Sequence, residues 1–477
     1  MIILNSIKIQ SLNDYQKLKN GISGSHIDNV VIDEISHYIG LKCNKLIIEN
    51  PYSDRDFLST YYIHYARKFK KFDKRSYRIH LFRDDLYFGF ITLRPTCKRK
   101  IGRSYINPSL LIPMKSYLMT APLKANIVGQ DIMIDAFPWM HQEPDVTSCS
   151  HVALWEVLRY FSNKHSRYSD ANIGDVVEKI QLNHERKIPS KGLRCEQISD
   201  LLTQYGFSTL IRRGSENIEN EIFTYIESGL PLIGVVKTKK DDAHAVTIIG
   251  HGPICEIETE EINDTFYERV KYKKSNQKTD IILSTKFIDS IIANDDNLFP
   301  YRMVYKDIKA LERTSEKYEP QYIIQGINTF IIPLYEKMKI TYNEVYNRSI
   351  SLIHEGNLPD LPSPKILRFF ITSSNSFKKE ISNRGICSKL RKIMLTLDMP
   401  KFIWCAEISS IDNYKNRLID GFIIIDATDS TEEEEPFLLF HDKNNVHYFN
   451  GNRALKDKFE IPAYKMYINN LEEYDNV

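Results

Sequence analysis

An α+β fold is predicted, and three observations predict it. Cys149 to Phe161 reads as a helix that is apolar almost all round, with Glu156 and Arg159 the main interruptions, so it runs through a core rather than along a surface. Two β-rich runs, 229–236 and 243–252, are split by the charged stretch Lys237-Thr-Lys-Lys-Asp-Asp242, which is the pattern of a hairpin. Beyond about 311, short helical and strand patterns alternate, as in an α/β module packed on a core. At 477 residues, with 42% hydrophobic and 11% aromatic content, the chain can bury two or three cores.

Residues 1–130 mix helices and strands and are expected to form an N-terminal domain. The run 65–78 interleaves Tyr65, Phe69, Phe72 and Tyr77 with Arg67, Lys68, Lys70, Lys71, Lys74, Arg75 and Arg78. Such a run can contact phosphates or an acidic partner. A solvated helix face, with lysine stems lying along apolar surface, is the more economical account. Tyr87 to Arg94 is a strand that stops at Pro95, because proline has no N–H to add to a ladder. Lys124 to Ile134 is a further strand leading into a second domain, 131–310. Residues 287–301 read as a strand that ends in the polar turn Asn294-Asp-Asp-Asn297. The polar joint 309–320 opens a third domain, 311–477. There strands are expected at 322–324, 330–333, 366–372, 401–408, 420–426, 436–441 and 446–449, and helices at 341–355 and 383–396. The acidic turn 431–436 reads as solvated rather than metal-binding.

The chemistry-bearing residues cluster in the middle domain. A thiol at a helix N-terminus faces N–H groups that carry partial positive charge and favour the thiolate, the form that attacks carbonyl carbon. Cys149 has that position. A thiol nucleophile needs a base, and the base needs an orienting acceptor. His244 starts the second strand of the hairpin, and Asp295, with Asp296 as its neighbour, ends the next one. The order is Cys, then His 95 residues on (244−149), then Asp after a further 51 (295−244). Rivals for the base are His441, beside Asp442 and near Glu407 and Asp426, and His251 at the other end of the His244 strand. His151 lies beside Cys149, but two groups are too few to hold zinc.

Taken in order, these pieces resemble the papain-like cysteine peptidases, closest to the double-glycine leader peptidases that process bacteriocins. The matching residues are Gln142, Cys149, Ala153-Leu154, Tyr160-Phe161, Lys191-Gly192-Leu193, Tyr205-Gly206-Phe207, Gly229-Leu230-Pro231, the strand 243–250 and Asn294-Asp295. They span roughly 135–305. The chain departs from the family in having Ser150 where a glycine follows the nucleophile. Its glutamine also stands one residue further from the Cys. The resemblance implies a papain-like core with N- and C-terminal α/β additions. It implies Cys149 as nucleophile, His244 as base, Asp295 (alternatively Asp296) as orienting acid, and Gln142 as oxyanion-hole donor. The implied function is a cysteine peptidase acting on a protein or peptide through a thioester. Alternatives of the same chemistry are an acyltransferase, isopeptidase or deamidase; a non-catalytic binding module of the same fold is a third class.

Composition bounds the setting. A net charge of +2 singles out neither nucleic acid nor an acidic solubilising role. Seven scattered cysteines, 43, 97, 149, 195, 255, 387 and 405, without paired spacing argue against a disulfide framework. Neither Cys-x-x-Cys nor His-Glu-x-x-His occurs, so no metal or organic cofactor is expected. The N-terminus lacks a signal-peptide pattern, and no apolar run is long enough to span a bilayer. A cytoplasmic location, where thiols stay reduced, is therefore expected. A bacterial defence or toxin system is one setting that fits such a chain.

Overall fold

The computed structural model describes residues 2–22, 29–96, 100–180, 187–214, 218–237, 243–255, 268–271, 278–307, 323–361, 363–429, 436–451, 453–468 and 470–476. The charged turn 238–242, the polar joint 309–320, Tyr322, most of the acidic turn (431–435) and Cys97 lie outside the described residues. The fold is mixed α+β, with three large sheets.

The first sheet orders Ile3–Lys8, Lys45–Tyr52, Ser76–Arg83, Leu86–Leu93, Ser104–Ile106, Gln130–Trp139 and Ala121–Ile127, each antiparallel to its neighbour. Leu46, Ile48, Ile79, Leu81, Ile91 and Leu93 alternate onto one face, as a period-two strand requires. Leu18, Ile32, Ile35 and Ile39 from two helices close over that face. The expected strand 124–134 is in fact a hairpin. Val128 (φ 44°) and Gly129 (φ 91°) both take the left-handed conformation of a two-residue turn, and Val-Gly lacks the usual Asn or Asp signal. The basic run is no helix face either. After one turn at Tyr65–Arg67 it is irregular up to Ser76, with Phe69, Lys70, Lys71, Lys74 and Arg75 exposed and Lys68 paired with Asp145 at 3.2 Å.

The second sheet holds the hairpin Leu232–Lys237 and Ala243–His251. Ser290–Asn294 and Arg302–Tyr305 flank it on one side, and Ile327–Tyr335 and Phe207–Arg213 on the other. Ser116–Leu118 and the C-terminal Glu472–Tyr474 add to the same sheet. Sheet membership thus crosses the sequence limits at 130 and 310: the first sheet takes strand residues up to Trp139, and the second takes Ile327–Tyr335. A limit drawn at a polar joint marks a break in local pattern, whereas strand pairing is decided by non-local hydrogen bonds.

The third sheet runs Glu268–Lys271, Lys278–Leu283, Lys365–Ser373, Phe402–Ser409, Gly421–Asp426, Phe437–His441, Asn445–Asn450 and Arg453–Lys458. Only Lys278–Leu283 with Lys365–Ser373 is a parallel pair; the others are antiparallel. The α/β expectation for this region is corrected on that point. Helices do lie between strands, but the strands they connect pair antiparallel. The helix expected at 383–396 is two, Ser374–Asn383 and Ser388–Thr396.

The second and third sheets share one apolar core, from Leu154 and Ile233 through Ile331 to Phe369 and Trp404. Helix Ile218–Glu227 lies between them. Its last residue, Glu227, meets Arg368 of the third sheet at 2.6 Å and His251 of the second at 2.9 Å. Burial alone would raise the Glu227 carboxyl; Arg368 and His251 outweigh it and hold the carboxyl down to about 2. A carboxyl lowered in the folded state adds stability above its ordinary value, and that stability is lost as pH falls toward the folded value. Glu227→Gln is therefore expected to be less stable than the parent at pH 7. The gap should close by on the order of 2 kcal/mol between pH 5 and pH 2.5. Thermal melts over that pH range check it; a constant gap would mean that Glu227 does not carry the acid sensitivity.

Candidate active site

The helix Cys149–Lys164 begins where the chain leaves a turn at Glu143–Thr147. Ser148, extended at φ −122° and ψ 175°, is the N-cap. Nδ1 of His151 accepts from the Ser148 N–H at 3.3 Å and lies 2.8 Å from its Oγ. His151 is thus a capping residue. Burial lowers it to about 4, so it is neutral. The helix body is anchored to the first sheet's side of the molecule. Trp155 Nε1 donates to Asp56 at 2.9 Å, and Arg159 pairs with Asp56 at 3.1 Å. This fixes where the half-buried Cys149 can point.

Cys149 Sγ accepts from the backbone N–H of Ala245 at 3.4 Å. His244, the residue before Ala245, lies beside the same sulfur, whose charge favours the protonated imidazole. On its other side, His244 Nε2 meets Asp295 Oδ1 at 2.9 Å and Asp296 Oδ1 at 3.6 Å. Both carboxylates are buried. Strand register explains the meeting. Thr247 pairs with Asn294 in the antiparallel ladder. Three steps along in opposite directions bring His244 opposite the turn 295–297. Burial alone would lower the His244 pKa. Hydrogen bonds to Asp295 and Cys149, and their charge, outweigh it and push the value up to about 11. The ring carries its second proton at neutral pH.

Glu156 lies about two turns further along the helix from Cys149. Burial holds its carboxyl well above the usual range, Thr247 opposes that, and Asp296 and Asp295 add to it. Burial and the two aspartates thus disfavour a charge on Glu156.

Gln142 is held at both its side chain and its backbone. Its Nε2 donates to Asn297 Oδ1 at 3.0 Å. Its backbone carbonyl accepts from Arg94 at 3.4 Å, as His141's does at 3.1 Å. Ser150, standing where the resemblance has glycine, accepts at Oγ from the Leu193 N–H at 2.8 Å. That bond docks the Gly192-Leu193 loop on the start of the helix.

The rival bases are elsewhere. His441 is buried in the third sheet, with Nε2 2.7 Å from the Tyr464 hydroxyl, and burial lowers it to about 4. Its neighbours are engaged too: Glu407 holds Arg368 at 2.7 Å and Asp442 accepts from the Asp360 N–H at 3.1 Å. His251 is taken up by Glu227. Asn297 was missed by sequence reasoning. Its only local signal was membership of the polar turn 294–297, and its partner Gln142 lies 155 residues away.

His244, Asp295 and Asp296 also form the one group among the described residues with three ligand atoms within 4.8 Å of one another. A cation there would compete with the proton on His244. No helix among the described residues is long and apolar enough to cross a membrane. Compared with known proteins, the chain matches no family model and no curated protein sequence.

Proposed function

We propose that the chain is a papain-like cysteine peptidase with Cys149 as nucleophile, His244 as base and acid, and Asp295 as the group that orients His244. One observation carries this. The sulfur at the start of a buried helix meets the Ala245 N–H at 3.4 Å, next in the chain to an imidazole whose Nε2 is 2.9 Å from a buried carboxylate.

The chemistry follows from that arrangement. The Cys149 sulfur attacks a peptide carbonyl carbon, a C–S bond forms, and the carbonyl electron pair moves onto oxygen. N–H groups at the helix start, with the Gln142 amide, stabilise that oxyanion. As the intermediate collapses, the imidazolium gives its proton to the departing amine and the C–N bond breaks. Water, deprotonated by the now neutral His244, then attacks the thioester carbon. The C–S bond breaks, releasing an acid and restoring the ion pair. Asp295 keeps Nε2–H directed at itself, which leaves Nδ1 to exchange the proton with sulfur and leaving group. The protein's own groups suffice for every step. A protein or peptide is the substrate, and a cytoplasmic setting suits the free thiol.

Limiting iodoacetamide at pH 6 is expected to modify Cys149 at least about tenfold faster than any other cysteine, because the thiolate is the reacting form. Mass spectrometry of the peptides measures it. Equal labelling of Cys149 and Cys195, each at a helix start, would overturn the proposal. Sequencing of new protein N-termini after incubation with a lysate then separates peptide hydrolysis from acyl transfer.

A further inference from the structure

We propose that Asn297 is the positioning residue of the oxyanion-stabilising Gln142, and that it ties that amide to the His244–Asp295 pair. This rests on the cysteine-peptidase reading and goes beyond it, since the resemblance gives no role to this position.

Four contacts carry it. Asn297 Oδ1 accepts from Gln142 Nε2 at 3.0 Å. Asn297 Nδ2 donates to Asp296 Oδ1 at 3.4 Å and lies 3.3 Å from His244 Nε2, whose own proton is directed at Asp295. The Asn297 backbone N–H donates to Asp295 Oδ1 at 2.8 Å. A single residue therefore touches the oxyanion donor, the orienting acid, its neighbour and the base. A primary amide has two N–H donors. Asn297 takes one from Gln142, which fixes the rotation of the amide and leaves the second for the oxygen that develops charge above Cys149. Donors in such a site act by being aimed before the charge appears. Arg94 holds the Gln142 carbonyl from the opposite side, so the backbone is braced and the side chain alone needs aiming.

Truncating Asn297 is a clean cut. Asn297→Ala removes the side-chain amide but keeps the backbone N–H that holds Asp295. Two reagents then separate oxyanion support from thiol activation. With p-nitrophenyl acetate, sulfur attacks the carbonyl, an oxyanion forms, and p-nitrophenolate leaves as the acetyl thioester forms. With iodoacetamide, sulfur displaces iodide in one step and no oxyanion arises. Asn297→Ala is expected to slow acetylation of Cys149 by on the order of tenfold, while alkylation and its pH profile stay within about twofold, since only the first reaction builds the charge. Gln142→Ala should slow acetylation by about 100-fold, as for loss of one oxyanion donor. The double variant should be no slower than Gln142→Ala, because the two act as one unit. An equal fall in both reactions would overturn the proposal by placing Asn297 on the His244–Cys149 pair. An additive double variant would overturn it by making the two residues independent. A parent protein whose Cys149 reacts no faster than Cys195 with either reagent would overturn the peptidase reading, and the positioning role with it.

Discussion

Cys149→Ala is expected to remove hydrolytic turnover by on the order of 10⁴-fold or more, as loss of a nucleophile does, while shifting stability by less than about 1 kcal/mol. The small second effect follows from a half-buried side chain whose Cβ keeps its place against the core in the alanine variant, while the sulfur's contact to the Ala245 N–H is given up. His244→Ala should fall as far in turnover, because members of one catalytic unit are not additive. Its stability should not follow Cys149→Ala. Removing the imidazolium takes away the cation that lies 2.9 Å from the buried Asp295 and 3.6 Å from the buried Asp296. A base raised to about 11 in the folded state contributes its full stabilisation below its ordinary value of 6.5 and loses it as pH rises toward 11. The melt of His244→Ala should therefore lie furthest below the parent near pH 6, and the gap should narrow steadily by pH 10. Turnover assays and melts of both variants across that range test the pair together. If His244→Ala keeps turnover, the base is elsewhere. If its melt gap widens with pH, the imidazole is not held as a cation.

Arg368→Met is expected to cost about 3–5 kcal/mol, the usual result of breaking one partner out of a buried ion cluster. Arg368 lies between Glu227 and Glu407, at 2.6 Å and 2.7 Å, and also donates to the Tyr467 carbonyl at 3.0 Å. Arg368 pairs with Glu407 across the third sheet, whereas Glu227 ends a helix that packs on the second. Loss of the guanidinium takes from Glu227 and Glu407 the cation they share at the joint between the two sheets, although Glu227 keeps His251. Replacing all three charges, with Glu227→Gln and Glu407→Gln added to Arg368→Met, should recover most of the loss, because the penalty comes from the unpaired charges. Urea unfolding at pH 7 measures both variants. A single variant within about 1 kcal/mol of the parent would show that the cluster is not a mechanical joint, since breaking a truly buried pair costs more.

Much of the site is local and was legible as such. The apolar run after Cys149 specifies a helix that starts near the thiol, because that pattern sits within a few turns of chain. The β-rich run after the charged turn puts His244 at a strand start, and the strand before Asn294-Asp295 ends where polar residues begin. Helix Tyr342–His354 likewise lies within the expected 341–355, and the structure shows its capping box, Thr341 with Glu344. Boundaries blurred where one residue overrode the pattern, as at Val128-Gly129, where a left-handed turn split an expected strand.

What the sequence determined by itself is the set of local elements and the residue types placed at their ends, because period, caps and turn chemistry act between residues close along the chain. The tertiary structure decided which ends meet. The pairing of Thr247 with Asn294, and not any nearby motif, sets Asp295 and Asn297 beside His244 and leaves His441 in another sheet. The same non-local choice inserts Ile327–Tyr335 beside Leu232–Lys237 and brings Arg368 onto Glu227, 141 residues away. Each of these contacts forms only if the register and packing of the whole sheet are satisfied, a condition that no short stretch of sequence encodes.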